Sequence, residues 1–172
     1  MNRKRYYTVA VTIIALLAIR TAVFVVDETK TAIVTQFGRP VRVVETAGLN
    51  WKLPQPIQAV RVFDKRLLVY DPKPTEFRTN DKKNVVVDAY VAWRIADPKK
   101  FLQTVNDREG AEVRMADIVA SEMGAALGNY PLHVLISTNP DSVKVGERME
   151  GVTRGCRTTA ESGFGIEVAD VR

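Results

Sequence analysis

The chain has 172 residues, a formal net charge of +5, one cysteine and one histidine. Arg3, Lys4, Arg5 and Arg20 supply four of the positive charges, so the rest of the chain is close to neutral and the high pI is no argument for nucleic-acid binding. With Cys156 and His133 alone of their kinds, an intramolecular disulfide, a cysteine-based zinc site and a histidine-rich metal centre are excluded.

The basic head Met1 to Arg5 runs directly into Tyr6 to Val26, an apolar stretch interrupted by Arg20. As a helix rising ~1.5 Å per residue it reaches ~30 Å, the thickness of a hydrocarbon core, and it is expected to cross a membrane once. Arg20 lies near the end of the stretch, where its long stem can snorkel to the interface. Cations before the span and Asp27-Glu28 after it orient the N-terminus to the cytoplasm, leaving everything from Asp27 onward outside. A cleaved signal peptide competes with this reading, since Val9 to Ile19 resembles a short apolar region. Against it, Ala18-Ile19-Arg20 and Arg20-Thr21-Ala22 each put an arginine where a small-residue cleavage triplet is needed. The division expected is therefore a head over 1–5, a transmembrane helix over 6–26 and an extracytoplasmic domain over 27–172. Roughly 145 residues are enough for one such domain with its own core.

Thr31 to Phe37 alternates as a strand, Gly38-Arg39-Pro40 reads as a turn and Val41 to Val44 as the return strand. Ala47 to Pro56, with two prolines and a glycine, is expected to be an irregular loop whose Leu49, Trp51 and Leu53 point one way. That loop is a candidate membrane-proximal element, with Trp51 at the lipid interface or, equally, plugging the edge of a small core. Short strands follow at Ala59 to Phe63 and Arg66 to Tyr70. Asn84 to Ile95 reads as one long strand with Val85, Val87, Ala89, Val91, Trp93 and Ile95 on its core face, paired antiparallel with Glu76 to Thr79. Asp97-Pro98 caps a short helix carrying Phe101, Leu102 and Val105. Glu109 to about Leu127 is an amphipathic helix through Met115, Ile118, Val119, Met123 and Ala126. Pro131 to Ser137 is expected to be extended. Asn139-Pro140 opens a last helix with Val145, Met149, Val152, Cys156 and Ala160 on its apolar stripe, ended by Gly163. Gly165 to Arg172 alternates as a closing strand, Ile166, Val168 and Asp170 on one side. Strands first and helices after make an α+β domain, a mostly antiparallel sheet with packed helices.

No catalytic constellation emerges. Ser121, His133 and Asp141 can be arranged on paper as a triad, but Ser121 sits in mid-helix without the glycines of a nucleophile elbow. Phosphate-binding glycine loops are absent, no cofactor is expected, and Cys156 on its apolar stripe reads as a buried, inert thiol. A membrane-anchored serine protease is thus the weakest reading, behind an exported soluble binding domain released by signal peptidase.

Val34-Thr35-Gln36-Phe37-Gly38-Arg39 and Ala47 to Pro54 following an apolar N-terminal stretch, together with Thr79-x-Asp81-Lys82-Lys83, Val85-x-Val87-Asp88-x-Tyr90-x-x-Trp93-Arg94-Ile95, Asp97-Pro98-x-x-Phe101 and the terminal Gly165 to Arg172, carry a family resemblance. The chain resembles the stomatin/prohibitin/flotillin/HflK-HflC superfamily, the SPFH or band-7 proteins, and within it the HflC branch, because it has a short basic head in place of a long glycine- and proline-rich tail. The resemblance implies a non-enzymatic scaffold in the bacterial inner membrane. Its implied partners are an HflK-like homologous subunit, an FtsH-like AAA protease whose degradation of membrane proteins it modulates, and membrane lipid. Members usually continue past the Asp-Val-Arg strand into a long alanine- and glutamate-rich coiled-coil helix, so the sequence is expected to be a fragment, a truncated frame or a shortened member.

Overall fold

Turn-forming residues between short β-prone runs set the topology of the first half of the chain. The computed structural model describes residues 6–7, 12–13, 20–135 and 145–172. It divides into two compact units, Met1–Lys65 and Arg66–Arg172.

In the first unit, β1 (Val23–Val26), β2 (Lys30–Gln36), β3 (Arg39–Val44), β4 (Gly48–Trp51) and β5 (Gln58–Asp64) form a three-stranded antiparallel sheet in the order β3-β2-β5 and a two-stranded ribbon, β1-β4. The Asp27 carboxylate accepts from the Thr29 backbone N–H at 2.9 Å and from the Thr29 hydroxyl at 2.7 Å, a local turn that sends β1 into β2. Phe37-Gly38 closes the β2-β3 hairpin with Gln36 opposite Arg39 and with positive φ at both turn residues, 47° and 82°, the geometry of a type I′ turn. Phe24, Val26, Ala32, Val34, Val44 and Val60 make the core.

The expected span over 6–26 is corrected at its far end. Val23–Val26 is a strand, with Val23 opposite Trp51 and Val25 opposite Leu49, because the β4 backbone offers it a partner. Gly48–Trp51, expected to be irregular, is accordingly that partner strand. Among the described residues no helix is long and apolar enough to cross a membrane. Arg3, Lys4, Arg5 and most of the apolar stretch lie outside the described residues, whereas Arg20 is exposed in a short helical stretch over 20–22.

In the second unit, β6 (Leu68–Tyr70), β9 (Val91–Ile95) and β10 (Ile166–Val171) form an antiparallel sheet in the order β10-β9-β6, and β7 (Thr75–Arg78) pairs with β8 (Asn84–Val87) as a separate ribbon. The run from Asn84 to Ile95 is therefore two strands. Its first half pairs with β7 and its second with β6 and β10, so the chain leaves one ladder at Asp88 and joins the other at Tyr90, which exchanges backbone hydrogen bonds with Arg172.

Among the described residues four helices follow: α1 (Pro98–Thr104), α2 (Arg108–Gly128), α3 (Leu132–Leu135) and α4 (Val145–Phe164). Asp97 caps α1 as expected, accepting from Lys99 and Lys100 N–H at 3.0 and 3.1 Å, and Asp107 caps α2 through Gly110 N–H at 2.8 Å. Leu132–Leu135, expected to be extended, is the single turn α3, while 136–144, including the proposed helix opening at Asn139-Pro140, lie outside the described residues. Asp81 in the β7-β8 loop holds the start of α3. Its carboxylate accepts from the Thr79 hydroxyl at 2.5 Å and from Leu132 N–H at 3.1 Å, and these hydrogen bonds, that from Thr79 foremost, hold its pKa below the ordinary value.

α2 and α4 pack on each other, α4 against β10 and α2 against β7. Met115, Ile118, Val119 and Met123 from α2, Val152, Cys156 and Ala160 from α4, and the stacked pair Trp93 and Phe101, 6.4 Å between ring centroids, fill the core. In β10 a register shift between Val168 and Asp170 inserts one residue, so the buried set is Ile166, Val168 and Val171, and Asp170 loses the inward place that simple alternation gives it. Arg157 of α4 caps this irregularity, donating to Val168 O at 2.8 Å and Ala169 O at 3.0 Å.

Helix α4 runs on through Gly163 and stops at Gly165, which has φ +68°, and a Cβ there would lie 2.7 Å from Asp97 O. Gly165→Ala is expected to cost about 1–3 kcal/mol from left-handed strain, and more from that contact, read as a lower urea midpoint with an unchanged slope.

Candidate functional site

A residue on a strand faces the same way as the residue two positions on, and this places the apolar surface of the first unit. Phe24 and Val26 enter the core, so Val23 and Val25 look the other way, beside their cross-strand partners Trp51 and Leu49. Val25 is 72% exposed, and Leu49 and Trp51 are 63% exposed each. Leu53 and Ile57, in the loop that follows, are exposed too, as are Val41 on β3 and Phe37 at the hairpin tip.

Hydrogen bonds hold these parts at one end of the unit. Lys52 N–H donates to Ala22 O at 2.8 Å, which extends the ribbon by one step toward the incoming chain. Gln58, opposite Gln36 at the end of β2, accepts from Leu53 N–H at 2.8 Å through its side-chain oxygen. The Arg42 guanidinium donates to Trp51 O. Val34, Val41, Arg42, Trp51, Lys52, Leu53 and Gln58 line a shallow cleft of about 410 Å³.

Of the residues singled out by sequence, Leu49 and Trp51 share a face and Leu53 is exposed beyond them. Trp51 does not plug the core, because the core side of the ribbon is occupied by Phe24 and Val26. Val25 and Phe37 were not singled out. Val25 falls in an apolar stretch that reads as helix, and Phe37 ends an alternating run. An exposed cluster of large apolar side chains rimmed by cations is suited to contact with an apolar phase or with another protein.

Phe37 holds its left-handed conformation while 78% exposed. A bulky residue pays about 1 kcal/mol for such a φ, and asparagine tolerates it. Phe37→Asn is therefore expected to raise stability by roughly 0.5–1 kcal/mol in thermal or urea unfolding.

The paper triad does not assemble into a described site. Ser121 is exposed on α2, His133 is exposed on α3, and Asp141 lies outside the described residues. Among the described residues no group of three or more His, Cys, Asp or Glu could hold a metal ion. Cys156 is fully buried, and burial followed by the charge of Glu122 pushes its pKa up to about 11. At pH 8 the native thiol is expected to resist iodoacetamide over a time in which the urea-unfolded chain is alkylated completely, as counted by mass spectrometry.

The profile of the SPFH domain / Band 7 family matches residues 24–172. Protein HflC of Buchnera aphidicola subsp. Schizaphis graminum is 29% identical over 178 residues, covering 91% of this chain and 56% of its own length. The Modulator of FtsH protease HflC of Escherichia coli (strain K12) is 28% identical over 209 residues, covering 98% of this chain and 62% of its own. Protein HflC of Haemophilus influenzae is 29% identical over 180 residues, covering 98% and 58%. The chain therefore spans about three fifths of the length of these curated relatives. A strand-rich first unit, an α+β second unit and a family match that begins within β1 and runs to Arg172 make this chain a member of the SPFH domain / Band 7 family.

Proposed function

We propose that this chain is a membrane-anchored scaffold subunit of the HflC type, which modulates an FtsH-like AAA protease and does no chemistry of its own. It assembles with an HflK-like homologous subunit in the bacterial inner membrane, with its N-terminus in the cytoplasm and both units outside. The observation that carries the reading is the exposed apolar face of the first unit, where Trp51 and Leu53 adjoin the point at which the chain arrives from its apolar N-terminal stretch and Val25 and Leu49 continue the same face along the ribbon.

With β1 starting at Val23, the anchor runs from Tyr6 to Ala22, roughly 17 residues and the short end of what a crossing needs. Arg20 then falls at the interface, two residues before Ala22, whose carbonyl accepts from Lys52 N–H, and the first unit rests on the bilayer with its tryptophan at headgroup depth. The relative named as a modulator of FtsH protease supports the regulatory role.

On a native gel, the detergent-extracted full chain co-expressed with an HflK-like subunit is expected to run as one very large species containing that subunit and the protease. A small species free of both overturns the scaffold reading. Trp51→Glu is expected to reduce the large species several-fold while leaving the melting of the second unit unchanged, since Trp51 belongs to the first unit and is exposed. Unchanged assembly in that variant removes Trp51 from the contact surface.

A further inference from the structure

The acids of the first unit are gathered at one end of its strands, whereas its cations are spread along them, with Lys30 and Lys65 beside the acids and Arg61 opposite Ile33 in mid-strand. The described residues of the unit contain four acids: Asp27, Glu28, Glu45 and Asp64. Strand register puts all four at the end away from the exposed aromatics. Lys30 lies opposite Asp64, Val26 precedes the Asp27-Glu28 turn, Val44 pairs with Ala32 just before Glu45, and the Lys65 ammonium donates to Glu45 O. The opposite end, defined by the pair Gln36 and Gln58 and by the Ala22 to Lys52 hydrogen bond, holds Arg20, Arg39 and Lys52, with Arg42 reaching it through its bond to Trp51 O. The cleft at this end contains two cations, Arg42 and Lys52, and no acid among its lining residues, and Trp51 and Leu53 flank them.

We propose that this cleft is a headgroup site for an anionic phospholipid, the Arg42 guanidinium and Lys52 ammonium holding the phosphate while Trp51 and Leu53 pack against the acyl region. The inference rests on the reading that this end meets the bilayer, and adds to it a choice of lipid. Three features favour a bilayer phospholipid as the occupant. The cations are uncompensated within the cleft, apolar side chains adjoin them directly, and the cleft opens beside the point of chain entry. The guanidinium keeps free donors after its bond to Trp51 O, and the lysine keeps donors beyond its 3.4 Å contact with Gln58 O. Acids collected at the far end keep the repulsion of an anionic surface away from the face that touches it.

The chain carries its own reporter. It has two tryptophans, and Trp93 is wholly buried in the second unit, so lipid-borne quenchers report on Trp51. The full chain is reconstituted in phosphatidylcholine bilayers containing phosphatidylglycerol, with bromine on the acyl chains of one lipid or the other at equal mole fraction. Brominated phosphatidylglycerol is expected to quench about threefold more strongly than brominated phosphatidylcholine, and ~1 M salt to reduce the preference. Arg42→Gln with Lys52→Gln is expected to bring the two lipids to parity. The charge-conserving pair Arg42→Lys with Lys52→Arg keeps the preference, which separates loss of charge from loss of fold. Strong and equal quenching by both lipids overturns the headgroup site and leaves the membrane contact standing. Absence of quenching by either lipid overturns the contact itself.

Discussion

The pairing of β1 with β4 is the constraint on which the first unit depends. Val23-Phe24-Val25-Val26 is apolar at every position, and only a period of two divides it cleanly. Its even members close the core over Ala32, Val34 and Val44, and its odd members stand outside with Leu49 and Trp51. A helix through the same residues would turn the four side chains around an axis and supply neither a flat inner face nor a row of outer ones. The ribbon thus creates the core and the apolar surface by one act. The hydrogen bond from Lys52 N–H to Ala22 O carries the pairing up to the point where helix gives way to strand.

In the second unit the corresponding role falls to short-range punctuation. Asp97 and Asp107 start two helices, and Asp81 joins the β7-β8 loop to the start of α3. Each carboxylate satisfies backbone N–H groups that have no partner in their own element, so the turns between elements are held by local hydrogen bonds as well as by the large core. That core joins α2 and α4 through Met115, Val119, Val152 and Cys156, with Trp93 and Phe101 beneath.

Much of this could be read from the residues alone, where local chemistry decides the outcome. The β2-β3 hairpin is written in an alternating run that stops at Phe37-Gly38, and α1 in Asp97-Pro98; the spacing of Met115, Ile118, Val119 and Met123 gives α2. Wherever a distant partner decides, reading fails. Gly48–Trp51 has two prolines downstream and looks irregular until β1 is offered to it. Asn84 to Ile95 alternates without interruption, yet its halves are claimed by different ladders. Ala169 looks like any outward residue, and only the paired strand reveals that it is supernumerary. The apolar surface was half legible: Leu49, Trp51 and Leu53 stood out by their spacing, while Val25 was hidden in an apolar stretch that reads as helix throughout.

The contact of Arg157 with the carbonyls of Val168 and Ala169 has a consequence beyond holding the register of β10. β10 is an outer strand of its sheet, and an outer strand with vacant carbonyls is a template for another chain. A guanidinium lying across two successive carbonyls, on a strand already bent by an inserted residue, occupies the acceptors that a foreign strand would use. The edge of β10 is in this way a poorer template for run-on pairing with another strand.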